Sequence, residues 1–187
     1  MGPIVYEFGL AKGVLFEQGR QLAEEFCEYN GLPVIPVYND VRLQGYGLYE
    51  HEKIKVNVQA TATPQRTRGR AWSFPGHKSD RTAAGVVCHE TGHHAYFNCK
   101  LPRGWREVVA ATRPITSYEP SAGEAYAESL RLFILNPDLL RLGRPERYKY
   151  ITEYHGLRPV VTLEWRAVLE HAPEHILAAA EKFASGK

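Results

Sequence analysis

The stretch Cys88-His89-Glu90-Thr91-Gly92-His93-His94 constrains this chain more than any other. It contains His-Glu-x-x-His, and it follows Ala83, Ala84, Val86 and Val87, which supply a helix body and an apolar face. Ser79-Asp80 offers an N-cap for that helix. Residues four apart on a helix lie one turn above each other on one face. His89 and His93 are therefore expected to aim at a common point, where neutral imidazole nitrogens can hold a zinc ion with one coordination position open to water. Glu90, next to His89, is placed to accept a proton from that water. Gly92 sits poorly in such a helix, since an internal glycine costs about 1 kcal/mol relative to alanine. A close approach by a second element would account for it. Cys88 and His94 point about 100° away from the adjacent ligands around the helix. Cys88 reads as a small buried residue, and His94 as a packing, surface or substrate-facing one.

A chain of 187 residues can bury one proper core. Its 44% hydrophobic and 24% charged residues describe an ordinary globular protein. A formal charge of +2 gives no reason to expect nucleic acid or an anionic membrane as the main partner. No apolar run approaches the roughly 20 residues that span a bilayer, and Met1-Gly-Pro-Ile-Val-Tyr-Glu-Phe lacks the pattern of a secretory signal. Three cysteines, Cys27, Cys88 and Cys99, have no paired spacing and suggest free thiols in a reducing compartment. The expected location is the cytoplasm.

Along the chain, Val14 to Asn30 is expected to be helical. Leu15, Leu22, Phe26 and Tyr29 share its apolar face, and Asn30-Gly31 stops it. Three strand-like segments follow, Pro33 to Tyr38, Val41 to Tyr49 and Ile54 to Val58, with Glu50-His51-Glu52 turning between the last two. Ile54, Val56 and Val58 alternate with polar residues, so one face is buried and the other wet. This segment directly precedes the loop before the metal helix, and it is expected to be a sheet edge along which an extended peptide adds a strand. Residues 60–78 read as a loop. Its Arg66, Arg68 and Arg70, beside Trp72 and Phe74, form a basic cluster that is expected to be a solvated loop face. Later helices are expected from Trp105 to Thr112, Ser121 to Leu135, Pro145 to Tyr154, Thr162 to His171 and Pro173 to Phe183.

A catalytic zinc usually takes three protein ligands. Glu124 and Glu128, one turn apart on the helix that starts at Ser121, are candidates for the third, as are Glu119, His155, His171 and His175. Ser121-Ala-Gly-Glu124 is also a capping box, in which Glu124 would bond back to the Ser121 backbone.

Residues 87–135 carry a resemblance. His-Glu-x-Gly-His, a later Thr116-Ser117-Tyr118, and Glu-Ala-Tyr-Ala-Glu-Ser-Leu-Arg-Leu-Phe from Glu124 together resemble the zinc peptidases related to the catalytic domain of anthrax lethal factor. These are gluzincins, with a glutamate as third ligand, and relatives occur in bacteriophages. The resemblance implies Glu124 as that ligand and Glu128 as a group that hydrogen-bonds and orients a ligand. It also implies Tyr118 as the hydroxyl that stabilises the oxyanion. Between Tyr118 and Glu124 the chain is one residue shorter than the toxin pattern, and the toxin's substrate-docking domains have no counterpart, so its substrate does not carry over. The expected fold is α+β. It is a single zincin-like metallopeptidase domain over residues 1–187, with a small, mostly antiparallel sheet, the His-Glu-x-x-His helix and a mainly helical C-terminal half. The expected activity is zinc-dependent hydrolysis of peptide bonds in a protein or peptide substrate. The alternatives are a catalytically silent zincin-like module, virion-associated if phage-encoded, and a SprT-like protease acting on DNA-bound proteins. The arginines at 66–70 suit the latter, but it would lack the cysteine pairs of a zinc ribbon.

Overall fold

The computed structural model describes residues 10–64, 73–98 and 104–186. Within them the chain is α+β. Helix α1 (Lys12–Tyr29) is followed by strands β1 (Val37–Asn39), β2 (Gly47–Glu50) and β3 (Lys53–Val56). Then come helices α2 (Ala83–Asn98), α3 (Trp105–Ala111), α4 (Ala122–Leu135), α5 (Pro137–Gly143), α6 (Pro145–Lys149), α7 (Trp165–Val168) and α8 (Glu174–Ala184). None of the described helices is long and apolar enough to cross a membrane. Cys27 and Cys88 are buried, while Cys99 and the cluster Arg66, Arg68, Arg70 and Trp72 lie outside the described residues.

Helix α1 buries Leu15, Leu22, Ala23 and Phe26 as its periodicity predicts, but Tyr29 is half exposed under the Arg158 guanidinium. Gly31 takes φ +65°, which lets the Leu32 N–H reach back to the Cys27 carbonyl at 2.9 Å and close the helix end.

The sheet is mixed rather than mostly antiparallel. Its order is β1-β3-β2, with β1 parallel and β2 antiparallel to β3. The β2–β3 hairpin turns at His51-Glu52, as expected. β3 is thus the middle strand and cannot serve as the edge on which a peptide docks. Ile54, Val56 and Val58, the expected substrate contacts, are buried in the core instead. The alternation predicts the burial of this strand; periodicity carries no information about which strand lies outermost. Among the described residues the strands with a free side are β1 and β2, and β2 is the one that lies against Glu90 on α2.

Helix α2 lies at the centre of the domain. α1, α4 and the sheet all pack on it, so its buried residues point in every direction: Ala83, Val87, Cys88, Thr91, Gly92 and Ala95 among them. Its cap is Thr82, whose hydroxyl accepts the Gly85 N–H at 3.1 Å. The expected Asp80 lies two residues further back. There its carboxylate accepts the Thr82 N–H at 2.8 Å and the Ser73 hydroxyl at 3.1 Å, buried against Gly85.

Gly92 has the role its awkwardness suggested. A Cβ there would stand 2.6 Å from the Cα of Ala127 on α4. The obstruction is backbone, so α4 would have to retreat. Gly92→Val is therefore expected to destabilise the protein by about 1–3 kcal/mol, the range for an overpacked interior. Gly92→Ala gains about 1 kcal/mol of helix propensity but meets the same atom, and should also lose stability. Denaturant titration checks both, as a lower midpoint at unchanged slope.

α4 ends at Leu135 as expected, and Asn136 then caps α5, opened by Pro137, by accepting the Leu139 N–H at 3.3 Å. Two helical expectations need correction. The stretch after α6 widens into a single π-turn, Tyr150–Tyr154, with His155 N–H on the Tyr150 carbonyl at 3.2 Å. Between Thr162 and His171 only Trp165–Val168 is helical.

Candidate metal centre

α2 and α4 cross at Gly92 and Ala127, and the crossing brings the chemistry of both helices to one spot. His89 and His93 lie on α2 with ring centroids 4.9 Å apart. Facing them, Glu124 Oε2 on α4 is 3.2 Å from His89 Nε2 and 3.4 Å from His93 Nε2. Donors at 2.0–2.2 Å around a tetrahedral ion would stand roughly 3.3–3.5 Å apart, so these separations suit a single zinc-sized cation. Glu124 Oε2 is buried and accepts no aligned hydrogen bond, which leaves an oxygen lone pair directed at the gap between two imidazoles. Two nitrogens and one carboxylate oxygen are a donor set suited to zinc. Among the described residues, His89, His93 and Glu124 are the group of metal-ligating side chains whose donor atoms converge, all within 4.8 Å.

The electrostatics say that this spot wants positive charge. Burial works against a charged His89 ring, yet Glu124 and Glu128 outweigh it and lift the imidazole to about 9. Contact with His89, and then with His93, holds Glu124 down to about 2. Glu128 also falls to about 2: burial opposes its ionisation, but Arg131 and His89 overcome that. A divalent ion held there would supply positive charge to the same carboxylates.

The capping box is only half formed. Ser121 Oγ accepts the Glu124 N–H at 3.2 Å, while the Glu124 carboxylate turns to the histidines. Cap and ligand are therefore compatible roles, one served by the backbone and the other by the side chain. Glu128 accepts from His89 Nδ1 at 2.7 Å, which leaves Nε2 facing the site.

Glu90 is buried beside β2. The Tyr49 main chain lies beside its carboxylate and favours the charged form. A Cβ at Gly47 would come within 2.5 Å of Glu90 Oε1, so this strand passes the carboxylate only because residue 47 has no side chain. Burial raises the proton affinity of Glu90, with Glu124 adding to it against the pull of His89 and His93. A carboxylate tuned upward in this way is a better proton acceptor near neutral pH.

Tyr118 stands at the rim, 60% exposed, its ring centroid 6.0 Å from that of His89. Glu124, some burial, Glu90 and Glu128 raise its proton affinity, so the phenol remains a donor. The loop that carries it is anchored by Glu119, one of the candidate ligands. Glu119 accepts the Ile115 and Thr116 N–H groups at 2.6 and 3.2 Å and pairs with buried Arg147 at 2.9 Å. His155 is engaged with the Tyr126 hydroxyl at 2.5 Å, and His171 and His175 belong to the α7–α8 region. None of these joins the cluster.

His94 proves to be a packing residue. Its Nδ1 accepts from Asn98 at 3.1 Å, so Nε2–H donates to the Pro33 carbonyl at 2.8 Å and ties the segment before β1 to α2. Sequence reasoning missed Arg131, Gly47 and Tyr49. The first was accessible, since Glu128 and Arg131 are three apart on a helix. The other two depend on how β2 lies across α2. Comparison of the chain with known protein families, with curated proteins and with solved structures finds no match. What the site can do follows from its own chemistry.

Proposed function

We propose that the chain is a zinc-dependent endopeptidase of zincin-like architecture, in which His89, His93 and Glu124 hold the metal. The observation that carries this reading is the convergence of those three side chains beside Glu90, a buried carboxylate with raised proton affinity. When bound, zinc would acidify a water and polarise a peptide carbonyl. Glu90 takes the proton from the water and delivers it to the leaving amine. The tight passage of β2 at Gly47 holds its carboxylate in place beside the cluster. Tyr118 donates a hydrogen bond to the oxygen on which negative charge develops. The peptide lies extended along the outer side of β2, whose main chain already touches Glu90, and adds a strand there.

Elemental analysis of the purified protein, together with a zinc-dependent cleavage assay on a mixed peptide pool, tests the reading. About one zinc per chain is expected. At a hundredfold excess over its dissociation constant the metal adds about 2.7 kcal/mol of stability, or roughly 5–11 °C in Tm for a chain of this size. In Glu124→Ala the bound zinc, the Tm shift and the cleavage should all disappear. Zinc retained without cleavage of any peptide would favour a silent metal-binding module. Zinc absent from the wild type, and not taken up on addition, would end the proposal.

A further inference from the structure

Behind the metal centre lies a full positive charge that no step above uses. Arg131 is 1% exposed, on α4 three residues beyond Glu128. Its guanidinium grips Glu128 as a fork, Nε to Oε1 and Nη2 to Oε2, both at 3.1 Å. Its remaining reach goes to main-chain oxygens of the segment before α2: Nη1 to His77 at 3.0 Å and Nη2 to Lys78 at 3.3 Å. The oxygen that Nε holds, Oε1, is the one that faces His89 Nδ1 at 2.7 Å. A continuous path therefore runs from a fixed backbone segment through Arg131 and Glu128 to a ligand ring.

We infer that Arg131 is a positioning residue of the metal centre. By holding both oxygens of Glu128 it fixes the direction from which that carboxylate meets His89, and so fixes where His89 Nε2 points. This rests on the zinc reading above. Two considerations favour positioning over a purely structural latch. A latch between α4 and the 77–78 segment would need only Nη1 and Nη2, yet Nε is spent on the oxygen shared with His89. A buried ion pair also adds little net stability compared with apolar packing, so stability alone does not account for a full charge at this place. Lysine could not substitute, because an ammonium has no planar fork to hold two oxygens at once.

The test uses R131K, with R147K as a control. Arg147 is equally buried and pairs with Glu119, not with Glu128. Zinc affinity is measured by competition with a chelating dye. R131K is expected to bind zinc about 10–100-fold more weakly, the usual cost of losing a group that orients a ligand, while R147K loses stability and keeps its affinity. A second readout needs no metal. In metal-free protein labelled with ¹⁵N-histidine, the His89 Nδ1–H should give a downfield, exchange-protected proton signal that persists in R147K and broadens or vanishes in R131K. Unchanged affinity and an unchanged signal in R131K would overturn the inference, as would equal loss of affinity in both variants. If R131K fails to fold, E128Q serves in its place, because the path passes through that carboxylate; wild-type affinity and an unmoved signal there would be equally fatal. A wild type that binds no zinc but shows the protected proton, lost in R131K, would sink the zinc reading and leave the positioning role standing.

Discussion

Glu90→Gln is expected to keep its zinc and to hydrolyse peptides about 10²–10⁴-fold more slowly, the usual contribution of a positioned proton acceptor. The amide has the shape of the carboxylate, so it fits the same slot beside Gly47. The one thing removed is the ability to accept a proton. Structure and chemistry are thereby separated, which an alanine substitution would not achieve, because it would leave a hole next to β2. The measurement is turnover at saturating peptide, with zinc content determined on the same sample. Equal turnover with equal zinc would take Glu90 out of the reaction.

Glu119→Ala should have the largest effect on stability. It strips the partner from Arg147, which has no exposed surface, and releases the Ile115 and Thr116 N–H groups at the same time. Removing one member of a buried ion pair costs about 3–5 kcal/mol, which for a chain of this length is a fall in Tm of roughly 6–20 °C. Thermal unfolding monitored by circular dichroism reads this directly. The loop that loses its anchor carries Tyr118, so any variant that remains folded should also lose part of the rate while retaining zinc. An R147M/E119L double replacement, which restores apolar packing in place of the pair, should recover most of the stability without restoring the Tyr118 loop. Recovery of both together would mean that the loop does not depend on Glu119.

The parts of the site that sequence disclosed are those governed by helical spacing. His89 and His93 are four apart, as are Glu124 and Glu128, and a 3.6-residue turn settles which of them share a face. The capping signal at Ser121 was equally local. The sheet was legible as strands and as a burial pattern, because alternation at Ile54 and Val56 depends only on the pleat. Its order was not, since which strand is central depends on how residues 40–46 cross from β1 to β2 over β3, and no local preference encodes that path. The same limit hid Tyr49 and Gly47, whose importance exists only once β2 lies against Glu90. Arg131 was visible as a spacing, but its burial was not, because a lone arginine on a helix is ordinarily a solvated one.

The touching of Gly92 and Ala127 has one more implication. Where two rods meet main chain to main chain, no side chain lies between them to be exchanged for a larger or smaller one. The gauge of the gap spanned by His89, His93 and Glu124 is then set by peptide geometry alone. Amino-acid turnover elsewhere in the interior can proceed without retuning that gauge, whereas any residue larger than glycine at position 92 alters it at once.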